Sequence, residues 1–254
     1  MGLSLVALLL SSSLAAAPAP LMSDAERKAK VEKMSRDELE AFLRNTAPDL
    51  LLNLSAQAIV ALGPYQYLMV KQERIRGTLQ GAQTIRTTIQ ETPNAIRLEY
   101  LKGPAAGRKL VYNSAVKKNE FRVREAGFLA IIGKLWIPLD SDLTRNDSNH
   151  TVAEAGLGSL VRRLQADQKR AGAALTTQHE GWNADGHFCS LYVLPNGGKG
   201  FDNAKTRVCT DPKAGVPMKV EGFDGEGGLI ERYTFSDLKP ATIDKDTFDP
   251  ETGL

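Results

Sequence analysis

The chain has 254 residues, with 32 Lys and Arg against 30 Asp and Glu, a formal charge of +2 and 42% hydrophobic content. These values fit a globular protein and exclude a disordered chain, a fibrous repeat and a dedicated nucleic-acid binder, which would carry a basic excess. Two cysteines and three histidines leave little material for a zinc site or a histidine-based catalytic centre.

The first twenty residues, MGLSLVALLLSSSLAAAPAP, carry no charge. An apolar run from Leu3 to Leu10 is followed by small residues through Ala17, the order of an export signal's core and cleavage region. Residues 1–17 are therefore expected to be a signal peptide, although they lack the usual basic start. The run is far shorter than the roughly 20 apolar residues that a membrane span needs. Export makes a disulfide the first expectation for Cys189 and Cys209, with buried free thiols as the alternative. Strand-like residues surround each cysteine, and Pro195-Asn196-Gly197-Gly198-Lys199-Gly200 between them has turn chemistry. A hairpin there would bring the two sulfurs across neighbouring strands.

Residues 18–47 form a charged, helix-prone segment, and residues 48–250 read as a single domain. Ser35-Arg36-Asp37-Glu38 is a capping box ahead of Leu39, Phe42 and Leu43. Pro48 fits the first turn of a helix in which Leu51, Leu54, Ala58 and Leu62 recur at helical spacing, and Gly63-Pro64 stops it. From Tyr65 the period falls to two, and short strands with turns between them follow to about residue 124. One helix interrupts them. It is expected from the capping box Thr151-Val152-Ala153-Glu154, with Leu157, Leu160, Val161 and Leu164 on one face. Strands resume near 174–182, 186–194, 204–210, 216–223 and 228–236. The expected class is α+β: a curved antiparallel sheet of about nine to eleven strands, a half-open barrel covered by helices.

A curved sheet with a covered concave face encloses apolar space where ligand pockets form. Its expected lining is Leu68, Val70, Ile85, Ile89, Ile96, Leu98, Tyr100, Leu110, Tyr112 and Phe121. Lys71, Glu73, Arg74 and Arg108 are the candidates for a polar rim. Arg108 follows the flexible Gly103-Pro104-Ala105-Ala106-Gly107 loop. It would either grip a carboxylate or phosphate head group or form an ion pair with Glu99. No Gly-x-Ser-x-Gly elbow or Walker loop is present. His150, His179 and His187 lack metal-ligand spacing, and Asp244, Asp246 and Asp249 lack the remaining features of a calcium loop. No cofactor, metal or catalytic residue is expected.

Four blocks occur in a recognisable order: YLMVKQERIRG (67–77), IRLEYLKGPAAGRKLVY (96–112), VAEAGLGSLVRRL (152–164) and YTFSDLKPATIDKDTFD (233–249). They resemble the bacterial family called domain of unknown function 1571, over residues 50 to 250. That family is similar in plan to periplasmic lipoprotein carriers of the LolA and LolB kind. The resemblance implies an apolar cavity for acyl chains under a helical lid, and it implies no assigned activity. The expected protein is periplasmic or otherwise exported and soluble once its signal is removed. It would bind a lipid or an acylated protein as carrier or sensor and would not be an enzyme. The alternative is an interaction module for another envelope protein; a hydrolase reading has no nucleophile–base set to support it. Opening of the 151–170 helix or the 125–150 loop would admit the ligand.

Overall fold

Ser23 and Ser35 each begin a helix in the same way. Each hydroxyl accepts the amide three residues on, and Glu26 or Glu38 accepts the serine's own amide in return. Amides at a helix start have no partner within the helix, so both boxes hold the first turn in place. The computed structural model describes residues 23–254, and the expected signal peptide lies outside the described residues. The charged segment becomes two helices, α1 (Asp24–Val31) and α2 (Arg36–Asn45). Val31, Leu39 and Leu43 form a small satellite core with Phe188. Buried Arg27 donates to the carbonyls of Pro212, Lys213 and Ala214, which ties α1 to a turn 185–187 positions away in sequence. α3 (Pro48–Leu62) has Pro48 in its first turn and ends at Gly63, whose φ of 65° favours glycine.

The first run of strands is β1 (Tyr65–Ile75), β2 (Thr78–Leu79), β3 (Gln83–Gln90), β4 (Ala95–Lys102), β5 (Lys109–Asn113), β6 (Glu120–Arg124) and β7 (Lys134–Pro138). α4 (Asp142–Arg145) and α5 (Leu157–Ala171) then intervene. The second run is β8 (Thr176–Trp182), β9 (Phe188–Val193), β10 (Lys205–Asp211), β11 (Val216–Phe223) and β12 (Leu229–Pro240). They form one antiparallel sheet in the order β7-β6-β5-β4-β3-β1-β12-β11-β10-β9-β8, with β2 on the end of β1. The two meanders meet where β12 pairs with β1, so the first and last strands lie in the middle. β7 and β8 remain edges, and the sheet is open, a half barrel. The sheet has twelve strands. β2 occupies residues expected to be a turn, and β7 lies in the expected 125–150 loop. There the consecutive apolar run Leu135-Trp136-Ile137 hides the alternation that announces a strand.

Cys189 and Cys209 face each other in register on β9 and β10 and are joined by a disulfide with an S–S distance of 2.00 Å.

β1 reverses one expectation. Leu68 and Val70 point to the convex side; Tyr65, Tyr67, Met69, Lys71 and Glu73 point to the concave side. Register is the cause, because paired residues share a face. Leu68 stands opposite Arg86 and Ser236, and Val70 opposite Thr84 and Thr234; Met69 stands opposite Ile85 and Phe235. Arg74 also lies on the outer face, where its Nε donates to the Leu229 carbonyl at 2.9 Å. It is not part of a rim.

The helix expected from Thr151 is also different. The capping box of Thr151 and Glu154 forms, but it closes only a 3-10 turn at Val152–Glu154. Gly156 is extended, and α5 starts afresh at Leu157. α5 lays buried Leu157, Leu160, Val161 and Leu164 onto the main core, which also holds Tyr65, Tyr67, Ile89, Ile96 and Tyr112.

Candidate functional site

Between the concave face and the covering chain 139–164 lies a cavity of about 120 Å³. β1, β3, β4 and β5 contribute Met69, Ile85, Leu98 and Leu110; β6, β7 and β12 contribute Phe121, Val123, Ile137 and Phe235. Val152, Ala155 and Leu160 form the roof. The space is slightly smaller than the ~150 Å³ that accommodates benzene in an engineered protein cavity. Leu143, 68% exposed, and Asp147, with 57% of its side chain exposed, mark the mouth.

A buried polar cluster closes one end. Glu73, 2% exposed, accepts from Ser148 Oγ at 3.0 Å, from the Asn149 amide at 3.3 Å and from the Tyr233 hydroxyl. Lys71 Nζ lies 3.1 Å from its carboxylate and also donates to the Asp147 carbonyl. Glu231, 3% exposed, meets His150 Nε2 at 2.7 Å and accepts from Asn203 Nδ2 at 3.2 Å. Arg163 contacts His150 Nδ1. A guanidinium can only donate, so Nδ1 accepts and the ring proton sits on Nε2, directed at Glu231. Burial pushes the Glu231 carboxyl up, but the hydrogen bond from His150, the charge of Arg163 and the hydrogen bond from Asn203 outweigh it and hold it below its ordinary range. Burial first, then the facing carboxylates of Glu231 and Glu73, pushes the Tyr233 hydroxyl well above its ordinary range, so it stays a donor.

These contacts pin residues 147–151 across the sheet as a strap. Two more bonds continue it: Asn94 Nδ2 donates to Ala153 O at 2.9 Å, and Tyr67 Oη to Ala155 O at 2.5 Å. At the start of α5, the Gly158 amide donates to Glu91 Oε1 at 2.9 Å and the Leu157 amide to Tyr65 Oη at 2.8 Å. The negative carboxylate thus sits against the positive end of the helix. At the mouth, Arg108 bridges Glu125 at 2.9 Å and Asp147 at 2.7 Å, with its guanidinium over Tyr100. Its partner is not Glu99, which pairs with Arg86 and Arg97 on the outer face.

Residues 63–253 match the model of DUF1571, a family described as proteins of unknown function. The chain belongs to the DUF1571 family. No curated protein is significantly similar to this DUF1571 protein. Among solved structures it is similar to the Mycobacterium tuberculosis lipoprotein LppX, with 14% identity, a TM-score of 0.46, and coverage of 78% of this chain and 100% of the other. A putative outer membrane lipoprotein-sorting protein domain from Vibrio parahaemolyticus is 11% identical with a TM-score of 0.43, over 80% of this chain and 96% of the other. The Pseudomonas aeruginosa MucA/MucB complex gives 16% identity and a TM-score of 0.44, over 79% of this chain and 60% of that one.

In this DUF1571 protein the cavity gathers Ile85, Leu98, Tyr100, Leu110 and Phe121, together with Lys71, Glu73 and Arg108. Ile89, Ile96 and Tyr112 are packed in the core away from it, and Leu68, Val70 and Arg74 are outside. Sequence reasoning missed Met69, Phe235, Tyr233, Arg163, Glu231 and the strap residues Asp147, Ser148 and His150. For Glu231 a signal existed: it shares the inward phase of Tyr233 and Phe235, and a charge in an apolar phase marks a buried polar group. Asp244 and Asp249 cap the C-terminal turns, accepting from Thr247 and from the amides of Glu251 and Thr252.

Proposed function

We propose that this protein is an exported envelope protein that binds a lipid or acylated ligand in the cavity, as a carrier or sensor and not as an enzyme. The observation that carries the reading is an apolar chamber closed at one end by a buried polar cluster whose two carboxylates are both hydrogen-bonded. The apolar walls suit an acyl chain, whose burial contributes about 0.8 kcal/mol per methylene. The polar cluster supports binding over catalysis. Both ring nitrogens of His150 are occupied, by Arg163 and Glu231, so neither is free to take a proton from a substrate. The space as closed accepts a small apolar group, so a full acyl chain enters by displacing the strap or α5. No helix among the described residues is long and apolar enough to cross a membrane, and the apolar run Leu3 to Leu10 followed by small residues supports export. The open edges β7 and β8 favour a second reading, in which an envelope partner adds a strand.

Titration with a fluorescent fatty acid tests the cavity. Ile137 lines it while remaining half-buried, so Ile137→Trp fills space without disturbing the deep core. Excluding two methylenes is equivalent to roughly tenfold in affinity. The expected result is saturable binding weakened at least about tenfold in I137W. Binding unchanged by the substitution would place the ligand elsewhere.

A further inference from the structure

Residues 127–132, GFLAII, connect β6 to β7 as a 3-10 turn in which no residue is buried. Phe128 is 87% exposed and Ile131 83%, with Leu129 at 50% and Ile132 at 56%. The turn begins two residues after Glu125, which lines the mouth of the cavity beside exposed Leu143. Single exposed apolar residues are ordinary on a protein surface, but four large ones within six residues mark an interaction site.

The root of this finger is basic. Register sets Lys109 on β5 opposite Arg124 on β6, and Arg124 opposite Lys134 on β7. Paired residues share a face, so these three cations form a row on the outer face just below the finger. None of the three forms an ion pair among the described residues; Lys134 donates to the Glu251 carbonyl. Glu99 faces Lys109 and Asp249 lies near Lys134, yet the row keeps a net positive charge, and an apolar tip above it is complementary to an anionic bilayer. The tip enters the boundary between head groups and acyl chains while the cations remain at the phosphates.

We propose that the 127–132 finger docks the mouth of the cavity onto an anionic lipid surface. Docking goes beyond the cavity reading, and vesicle binding requires no ligand in the cavity, so either can fail without the other.

The test is co-sedimentation of the purified protein with phosphatidylcholine vesicles, with and without roughly 30% phosphatidylglycerol. The parent protein is expected to bind the anionic vesicles and to lose that binding as salt screens the basic row. Phe128→Ser with Ile131→Ser lowers the partition coefficient at least about tenfold. Lys109→Gln, Arg124→Gln and Lys134→Gln together remove the preference for anionic over neutral vesicles. The N-terminal segment is common to all these proteins, so their differences report on the finger and its root. Thermal melts check the fold, and F128S alone repeats the measurement should the double variant melt early. Parent protein that binds neither vesicle would overturn the proposal, as would F128S/I131S binding like the parent. Loss of self-association or of a protein contact in F128S/I131S, with vesicle binding intact, would assign the finger to a protein partner and also overturn it.

Discussion

A carboxylate taken out of water is stable only where donors replace the solvent, and Glu231 obtains two: His150 and Asn203. Its folded-state value lies below the ordinary 4.5. A depressed acid contributes stability above its unfolded value, and that contribution disappears as pH falls through the folded one. Glu231 therefore stabilises the protein above pH 4.5, and the gain is lost over the acid interval below pH 4.5. In thermal melts, Glu231→Gln is expected to lower the midpoint at pH 7 and to flatten the fall over that acid interval. An identical acid profile for parent and variant would contradict this role. At this scale Lys71 and Glu73 were legible as polar groups beside the cavity, although both stand buried in phase with Tyr65, Tyr67 and Met69. The outward placement of Leu68 and Val70 was not, since β1 begins apolar on both faces and only its neighbours Arg86, Thr84 and Thr234 decide. His150 was illegible for a related reason: Glu231 is 81 positions away, and the contact exists only once β12 lies beside β1.

The start of α5 shows how a helix is placed by what meets its end. A Cβ on Gly158 would come within 2.5–2.7 Å of the Glu91 carboxylate, so any side chain there displaces Glu91. Two effects oppose one another in Gly158→Ala. Alanine gains about 1 kcal/mol of helix propensity. Displacing Glu91 forfeits its bond to the Gly158 amide and its place at the helix end, roughly 1.5–3 kcal/mol for a charged acceptor. The loss wins, and G158A is expected to melt below the parent; a higher midpoint would contradict the account. The Thr151 box was legible as a helix start, yet the helix begins six residues later, because Gly156 is extended where Glu91 and Tyr65 take the first amides. Capping residues announce a first turn, and tertiary partners decide whether it continues. β7 escaped for the opposite reason, its apolar run being too continuous to show a period of two.

At the scale of the molecule, twelve strands form an open sheet, and the half barrel is stabilised by what fills its concavity. α5 and the strap do so and leave the cavity between them and the sheet. The alternating strands and the amphipathic helix made this plan legible in the sequence. What sequence could not provide was the cavity's shape, because whether Leu98 or Ile96 faces empty space depends on the helix opposite. On the proposed reading the strap or α5 moves to admit an acyl chain, since the strap's hold on Glu73 and Glu231 keeps the space near 120 Å³. The central claim is that this space exists for an acyl chain, and native mass spectrometry of the protein purified from its own cell envelope tests it most directly. The account predicts a bound species that extracts into organic solvent, carries an acyl chain and is missing from I137W. A mass equal to the polypeptide alone, with no fluorescent fatty acid taken up by the same preparation, would contradict it.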